Sequence, residues 1–143
     1  MKGEYVIYTD GGYSVSHNIG AGAYIILKAD DLSLVSEDSF VLRKETSQRA
    51  ELKAIIAAMQ ALPYGSKALI ITDYLYAVWG LGRIPARKNK PDSDLLLLYR
   101  QVKKERKLRL EFKWVRSHRG DAWNERCDSL CTEALCLAES GTL

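Results

Sequence analysis

The chain has 143 residues, of which 47% are hydrophobic and 27% charged, and its formal net charge is +3. This length suits one folded core, so we expect a single domain over residues 1–143. No apolar run approaches the ~20 residues that would span a bilayer, which excludes a transmembrane helix, and the net charge is too small to identify a nucleic-acid-binding protein by itself.

The order of apolar and polar residues predicts a mixture of strands and helices. In chain order, the predicted elements are strands at about 4–10, 21–28 and 33–43, a helix at 47–62, a strand at 67–72, helices at 74–81 and 92–106, a strand at 108–115 and a helix at 120–140. Consecutive strands with short connections favour an antiparallel meander, and later strands reached through helical crossovers are expected to lie parallel to their neighbours. The predicted fold class is therefore α/β, with a mixed five-stranded sheet, its first three strands antiparallel, flanked by helices.

Four carboxylates stand out by their positions in these elements. Asp10 ends the first strand, where the glycines that follow predict a turn, and Asp73 ends the fourth strand. Glu51 lies one turn into the first helix, and Asp128 lies two turns into the last helix on an otherwise apolar face. Because the carboxyl ends of parallel strands meet at one edge of a sheet, we expect these side chains to converge.

Each carboxylate also has a structural interpretation. These alternatives are turn or cap roles for Asp10 and Asp73, an ion pair of Glu51 with Arg49 or Lys53, and an ion pair of Asp128 with Arg126 or Arg116. Ionised carboxylates that border apolar surface are unfavourable unless they are paired or bound to a metal, and four such coincidences are a less economical explanation than one shared site.

The chemistry that four convergent carboxylates support is metal-assisted phosphoryl transfer. Two divalent cations would neutralise their charge, and all-oxygen ligands suit Mg²⁺ or Mn²⁺ rather than zinc. Paired metals assist phosphodiester cleavage because they stabilise the attacking and departing oxygens together. His118, in the loop before the last helix, titrates in the range that suits proton transfer, although an exposed loop histidine is an equally good interpretation.

Two basic segments favour a polyanionic substrate. RIPARKNK, at 83–90, has four basic residues and no acid, and RQVKKERKLR, at 100–109, has six basic residues and one acid. Segments of this kind can follow a phosphate backbone. For the second segment, a solvated helix face is an equally good interpretation.

The three cysteines, Cys127, Cys131 and Cys136, lie together in the last predicted helix. An odd, clustered set argues against a disulfide framework and fits a reducing compartment. No apolar signal segment follows the start methionine, so we expect a cytoplasmic protein. Zinc binding by Cys127 and Cys131 lacks a second pair of ligands, and buried thiols on a helix face are the preferred interpretation.

Four motifs together resemble ribonuclease H, type 1, over nearly the whole chain. They are YTDGG around Asp10, TSQRAELKAI around Glu51, IITD around Asp73, and WVRSHRGDAWNERCD, which contains His118 and Asp128. The resemblance implies a ribonuclease H-like fold and hydrolysis of the RNA strand of RNA/DNA hybrids, leaving 5′-phosphate and 3′-hydroxyl ends. It also implies that the four carboxylates ligate two Mg²⁺ ions, with Mn²⁺ as a substitute, and that His118 assists proton transfer or product release.

The resemblance further implies which residues contact the hybrid. The expected readers of the ribose 2′-hydroxyl are Gly11, Gly12, Asn18, Ser47 and Gln48. Some members of the family grip the hybrid with a basic protrusion, and the shorter loop here is expected to contact phosphates through Arg83, Arg87, Lys88 and Lys90.

The expected partner is an RNA/DNA hybrid, with no membrane and no obligate protein partner. The length and the start methionine favour a free-standing enzyme over a piece of a reverse transcriptase, and we expect a monomer. Two alternatives stay open: another nuclease or strand-transfer enzyme of the same fold, and a nucleic-acid-binding module without catalysis. Cleavage assays on hybrid and duplex substrates distinguish them.

Overall fold

Five strands form a mixed sheet in the computed structural model, which describes residues 3–74, 77, 93–116 and 121–141. The elements are β1 (Glu4–Ser14), β2 (Ile19–Lys28), β3 (Leu34–Arg43), α1 (Ser47–Ala61), β4 (Lys67–Thr72), α2 (Ser93–Glu105), β5 (Arg109–Trp114) and α3 (Ala122–Glu139). The strand order is β3-β2-β1-β4-β5, with β1, β2 and β3 antiparallel and β4 parallel to both β1 and β5. The predicted mixed sheet is confirmed.

One predicted boundary is wrong. The first strand does not end at Asp10, because β1 continues through both glycines to Ser14 and the turn lies at 15–18. Gly11 pairs with Gly22 and Gly12 with Ala21, so the antiparallel ladder with β2 holds this stretch in strand conformation. The local turn signal of the glycines is overridden by this pairing.

Some predicted elements and residues fall outside the described part of the chain. Most of the helix predicted at 74–81 does so. The predicted site residues in this group are His118, Arg83, Arg87, Lys88 and Lys90.

Helices cover both faces of the sheet. On one face, α1 and α2 pack over Ile7, Ile26 and Ile70, and on the other face α3 packs over Tyr8 and Ile71. Neighbouring residues such as Ile7 and Tyr8 enter different clusters because successive strand residues point to opposite faces. Since both faces are covered, β2 is an almost continuous run of buried apolar residues.

Every helix in the described part of the chain is too short or too polar to cross a membrane.

Candidate active site

The parallel register of β1 and β4 brings two carboxylates to the same edge of the sheet. Tyr8 pairs with Ile71 at the end of this ladder. Asp10 and Asp73 each follow two residues later, so they lie next to each other where the parallel pairing stops. Asp10 itself remains within β1 and pairs with Ala23 of β2, so it does not have the turn role considered from the sequence.

Close packing of α1 against β1 adds Glu51. A Cβ at Gly11 would lie 2.7 Å from the backbone nitrogen of Glu51, so only glycine allows the helix to approach this closely. The backbone N–H of Gly11 also donates a hydrogen bond to the Glu51 carboxylate. Gly11 therefore has a packing role that the sequence did not indicate.

The three carboxylates form one compact cluster. Asp10, Glu51 and Asp73 each offer an oxygen, and these oxygens all lie within 4.8 Å of one another. Asp10 is only 4% exposed, and Oε2 of Glu51 is shielded from solvent with no hydrogen-bond partner in the described structure. Burial first, and then the charges of Asp73 and Asp10, raise the pKa of Glu51 to about 9. The cluster cannot ionise fully at neutral pH without a counter-ion.

These features fit a hard divalent cation. The donors are all carboxylate oxygens, which Mg²⁺ and Mn²⁺ prefer, and one of them has no protein donor to satisfy it. A cation at this position would compensate the like charges that raise the Glu51 pKa.

The basic residues Arg49, Lys53 and Arg126, which the sequence offered as ion-pair partners for Glu51 and Asp128, bind other carboxylates in the structure. Arg49 contacts Glu45 at 2.6 Å and binds Asp94 of α2 at 2.8 Å, and Lys53 contacts Glu45 at 2.8 Å. Arg126, considered as a partner of Asp128, donates to both carboxylate oxygens of Glu37 on β3, at 3.1 and 3.2 Å.

Asp128 lies apart from the three-carboxylate cluster. Its position on α3 is exposed, and it is not among the described carboxylates whose oxygens lie within 4.8 Å of one another. Its charge acts on the same thiol as theirs, because Asp128 contributes, after burial and the charges of Asp10 and Glu51, to raising the pKa of Cys131. The structure thus brings together three of the four predicted ligands and leaves the fourth at the rim.

A partly buried hydrogen bond that joins β1 to the start of α3 could not be predicted from the sequence. Asp121 caps α3 by accepting hydrogen bonds from the backbone N–H groups of Trp123 (2.9 Å) and Asn124 (3.3 Å). Its other oxygen accepts a hydrogen bond from the Tyr8 hydroxyl at 2.9 Å, and burial together with Asp121 raises the pKa of Tyr8 to about 12. The aspartate just before a helix is a cap signal in the sequence, but its tyrosine partner is not.

The cysteines that face the sheet are buried thiols. Cys127 Sγ lies 3.6 Å from the carbonyl oxygen of Tyr8, and Cys131 Sγ lies 3.3 Å from that of Ala21. Burial raises the pKa of both thiols, so they remain protonated and donate to these carbonyls. This environment agrees with the preferred interpretation over zinc binding.

Three of the predicted substrate-binding residues, Asn18, Ser47 and Gln48, are exposed. The backbone N–H of Lys44 donates to the carbonyl of Asn18 at 3.0 Å, which joins the β1–β2 turn to the connection before α1. Ser47 and Gln48 are exposed at the first turn of α1. Gly12 packs against α3, because a Cβ there would lie 3.0 Å from Cδ1 of Leu135.

Comparisons with known proteins agree with this architecture. The RNase H family model matches residues 2–136. The chain is 28% identical over 144 residues to ribonuclease H of Wolbachia pipientis, covering 94% of this chain and 97% of that protein. It is 34% identical over 134 residues to ribonuclease H of Campylobacter jejuni, covering 90% and 88%. The crystal structure of RNase H1 from Halobacterium salinarum has the same fold, with a TM-score of 0.75 and 24% identity over 94% of this chain and 98% of that chain.

Proposed function

This chain belongs to the RNase H family, and on that premise we propose that it hydrolyses the RNA strand of RNA/DNA hybrids with two divalent cations, leaving 5′-phosphate and 3′-hydroxyl ends. The observation that carries the proposal is the convergence of Asp10, Glu51 and Asp73 from separate segments, with oxygens within 4.8 Å of one another. Its relatives named ribonuclease H support a hydrolase that acts on RNA.

The carboxylates have different roles in this proposal. Asp10, Glu51 and Asp73 would hold the metal, and the exposed Asp128 would complete the second ion's site from the rim. Bound Mg²⁺, or Mn²⁺ in its place, would polarise the scissile phosphate and stabilise the attacking and departing oxygens. The chain itself contributes orientation, because strand register fixes two of the carboxylates and helix packing fixes the third before any ligand arrives.

His118 is proposed to move a proton. It follows the last strand in sequence and precedes the helix that carries Asp128. An imidazole with an ordinary pKa can accept or deliver a proton near neutral pH, which suits protonation of the departing 3′-oxygen or release of the cleaved strand.

The substrate surface is proposed to read RNA by its 2′-hydroxyl groups. Asn18, Ser47 and Gln48 offer exposed polar side chains, and the backbones of Gly11 and Gly12 are proposed to contact the same strand. The proposed phosphate contacts are Arg83, Arg87, Lys88 and Lys90. We also infer one catalytic domain over residues 1–143 that acts as a monomer.

A cleavage panel tests the proposal. The protein is incubated with an end-labelled RNA/DNA hybrid, duplex DNA and duplex RNA, each with Mg²⁺ and with EDTA. We expect cleavage of the hybrid's RNA strand only when Mg²⁺ is present, and products that a polymerase can extend from a free 3′-hydroxyl. Cleavage that persists in EDTA, or that favours duplex DNA, would contradict it.

A further inference from the structure

A cleft lies at the opposite edge of the sheet from the carboxylates, where β4 and β5 begin. Its volume is about 590 Å³, and its lining residues are Tyr64, Gly65, Lys107, Leu108 and Arg109. We propose that this basic cleft binds single-stranded nucleic acid, with a base stacked on Tyr64 and neighbouring phosphates on Lys107 and Arg109. The binding is separate from catalysis, because the six residues of β4 put about 20 Å between the two edges.

The walls of the basic cleft are fixed to each other by backbone hydrogen bonds. The N–H of Gly65 donates to the carbonyl of Arg106 at 2.8 Å, and the N–H of Arg109 donates to the carbonyl of Ser66 at 3.0 Å. The Arg106 guanidinium also donates to the carbonyl of Leu62. The connection after α1 and the turn before β5 therefore form one preorganised surface, which reduces the ordering that a ligand would impose.

The turn that ends α2 places the Lys107 side chain beside the Tyr64 ring. Lys107 has a left-handed backbone with φ of 49°, and the N–H of Leu108 bonds back to the carbonyl of Lys103 at 3.0 Å. This reversal puts Nζ of Lys107 6.0 Å from the centre of the Tyr64 ring. Tyr64 remains 52% exposed, so an aromatic surface with an adjacent positive charge faces solvent. That combination is what sequence-independent binders of single strands use.

The charges around the basic cleft favour a polyanion. None of its lining residues is acidic. The acid within the basic segment 100–109, Glu105, accepts a hydrogen bond from Gln101 at 3.0 Å. A solvated helix face accounts for an exposed cation such as Lys104, but it does not account for an aromatic residue and two cations that converge from two segments.

The aromatic residue selects between single and double strands. Stacking on a tyrosine requires a free base face, which a paired and stacked duplex does not offer within its length. One exposed ring and two cations match one unpaired base and its flanking phosphates. The proposed ligand is therefore an unpaired strand, and a hybrid's single-stranded overhang is one source of it.

Fluorescence anisotropy with a labelled oligothymidine, in EDTA, tests the inference without any contribution from cleavage. We expect Tyr64→Ala, Lys107→Gln and Arg109→Gln each to raise the Kd by at least about fivefold. Lys28→Gln is the matched control, because it removes one exposed charge from the same edge of the sheet outside the cleft, and we expect its Kd to change by less than about twofold. Tyr64→Phe should bind like the parent, since the ring is retained.

Competition and catalysis provide the remaining readouts. Unlabelled oligothymidine should displace the probe, whereas polyglutamate and inorganic pyrophosphate should not at equal charge concentration. The kcat for a blunt hybrid should be unchanged in all the cleft variants. Equal Kd values for the cleft variants and Lys28→Gln, or displacement by polyglutamate as effective as by the oligonucleotide, would overturn the inference. Failure of hybrid cleavage by the parent protein would leave it standing, because the binding assay needs no activity.

Discussion

The two edges of the sheet carry charges of opposite sign, and they differ in how far the fold shields those charges from solvent. At the carboxyl edge, register and close packing force Asp10, Glu51 and Asp73 together in a shielded site. At the other edge, Lys107 and Arg109 are exposed around a surface cleft. Solvent screens exposed like charges, whereas shielded ones repel through a lower dielectric. The acidic edge should therefore destabilise the metal-free protein until a cation binds, while the basic edge has little effect on folding.

The largest expected effect is on catalysis at the acidic edge. Asp10→Asn replaces a buried carboxylate with a neutral amide and should lower the Mg²⁺-dependent rate of hybrid cleavage by at least about 10²-fold, the scale of a lost transition-state stabiliser. Steady-state kinetics would measure it. Asp38→Asn removes an exposed carboxylate from β3 and serves as the control. A parental rate for Asp10→Asn would remove Asp10 from the catalytic site.

The next effect is on stability as a function of pH without metal. The pKa of Glu51 is about 9 in the folded protein and 4.5 as its ordinary value. Between those values the folded state holds a proton that the unfolded state has released, so the free energy of unfolding should fall as pH rises, by up to about 1.4 kcal/mol per pH unit. Below pH 4.5 Glu51 contributes no pH dependence, and above about pH 9 its stabilising contribution to the free energy of unfolding has been lost completely.

Urea denaturation in EDTA across the window would measure this slope. Glu51→Gln should flatten it, because the amide does not titrate. Saturating Mg²⁺ should also reduce it, since the cation favours the ionised cluster. A slope in the parent protein that Glu51→Gln leaves unchanged would show that other groups cause it.

A smaller effect on metal-free stability should distinguish Asp73, which belongs to the three-carboxylate cluster, from Asp128, which does not. Asp73→Asn removes a negative charge that lies beside Asp10 and Glu51, and it should raise the metal-free free energy of unfolding by about 1–2 kcal/mol. Asp128→Asn should change it by less than about 0.5 kcal/mol, because Asp128 is exposed and outside the cluster. Both should lower hybrid cleavage if Asp128 is a ligand. Equal stabilisation by the two substitutions would mean that Asp128 belongs to the metal-free cluster.

The parts of the fold that depend on local pattern could be read from the sequence. KALIIT is a short apolar run between turn residues, and β4 has the predicted bounds Lys67–Thr72. Thr46 and Ser47 are both residue types that commonly cap helices, and Thr46 accepts the N–H of Arg49 at the start of α1. The end of β1 was wrong because the glycines after Asp10 are turn residues by local preference, while their pairing with β2 is a long-range property.

The site was predictable to the extent that topology alone determines it. Strand ends and a helix start bring three carboxylates together, but the rotation of α3 decides where Asp128 points. The buried residues of α3 are Asn124, Cys127, Cys131, Ala134 and Ala138, spaced three and four apart. Asp128 is turned about 100° from Cys127 but only about 40° from Asn124 and about 60° from Cys131, so it lies at the border of that stripe. The Tyr8–Asp121 bond and the Tyr64–Lys107 contact join distant segments and leave no local pattern.

The smallest effect concerns the turn that shapes the basic cleft. Lys107 has φ of 49°, where a side chain is strained and glycine is not, so Lys107→Gly should raise the free energy of unfolding by about 0.5–1 kcal/mol. Gln101→Gly, in the interior of α2, should lower it by about 1 kcal/mol, which controls for the flexibility of glycine. Urea denaturation would measure both.

Lys107→Gly should also weaken oligothymidine binding, because it removes the cation beside Tyr64. The free energy of unfolding would then rise while binding weakens. This is expected of a residue whose side chain serves binding and whose left-handed backbone lowers stability. Lower stability in Lys107→Gly would instead mean that the contact with Tyr64 stabilises the fold by more than the left-handed backbone destabilises it. Tyr64→Ala should then lower the free energy of unfolding by more than Lys107→Gly does, because it removes the contact without relieving the backbone.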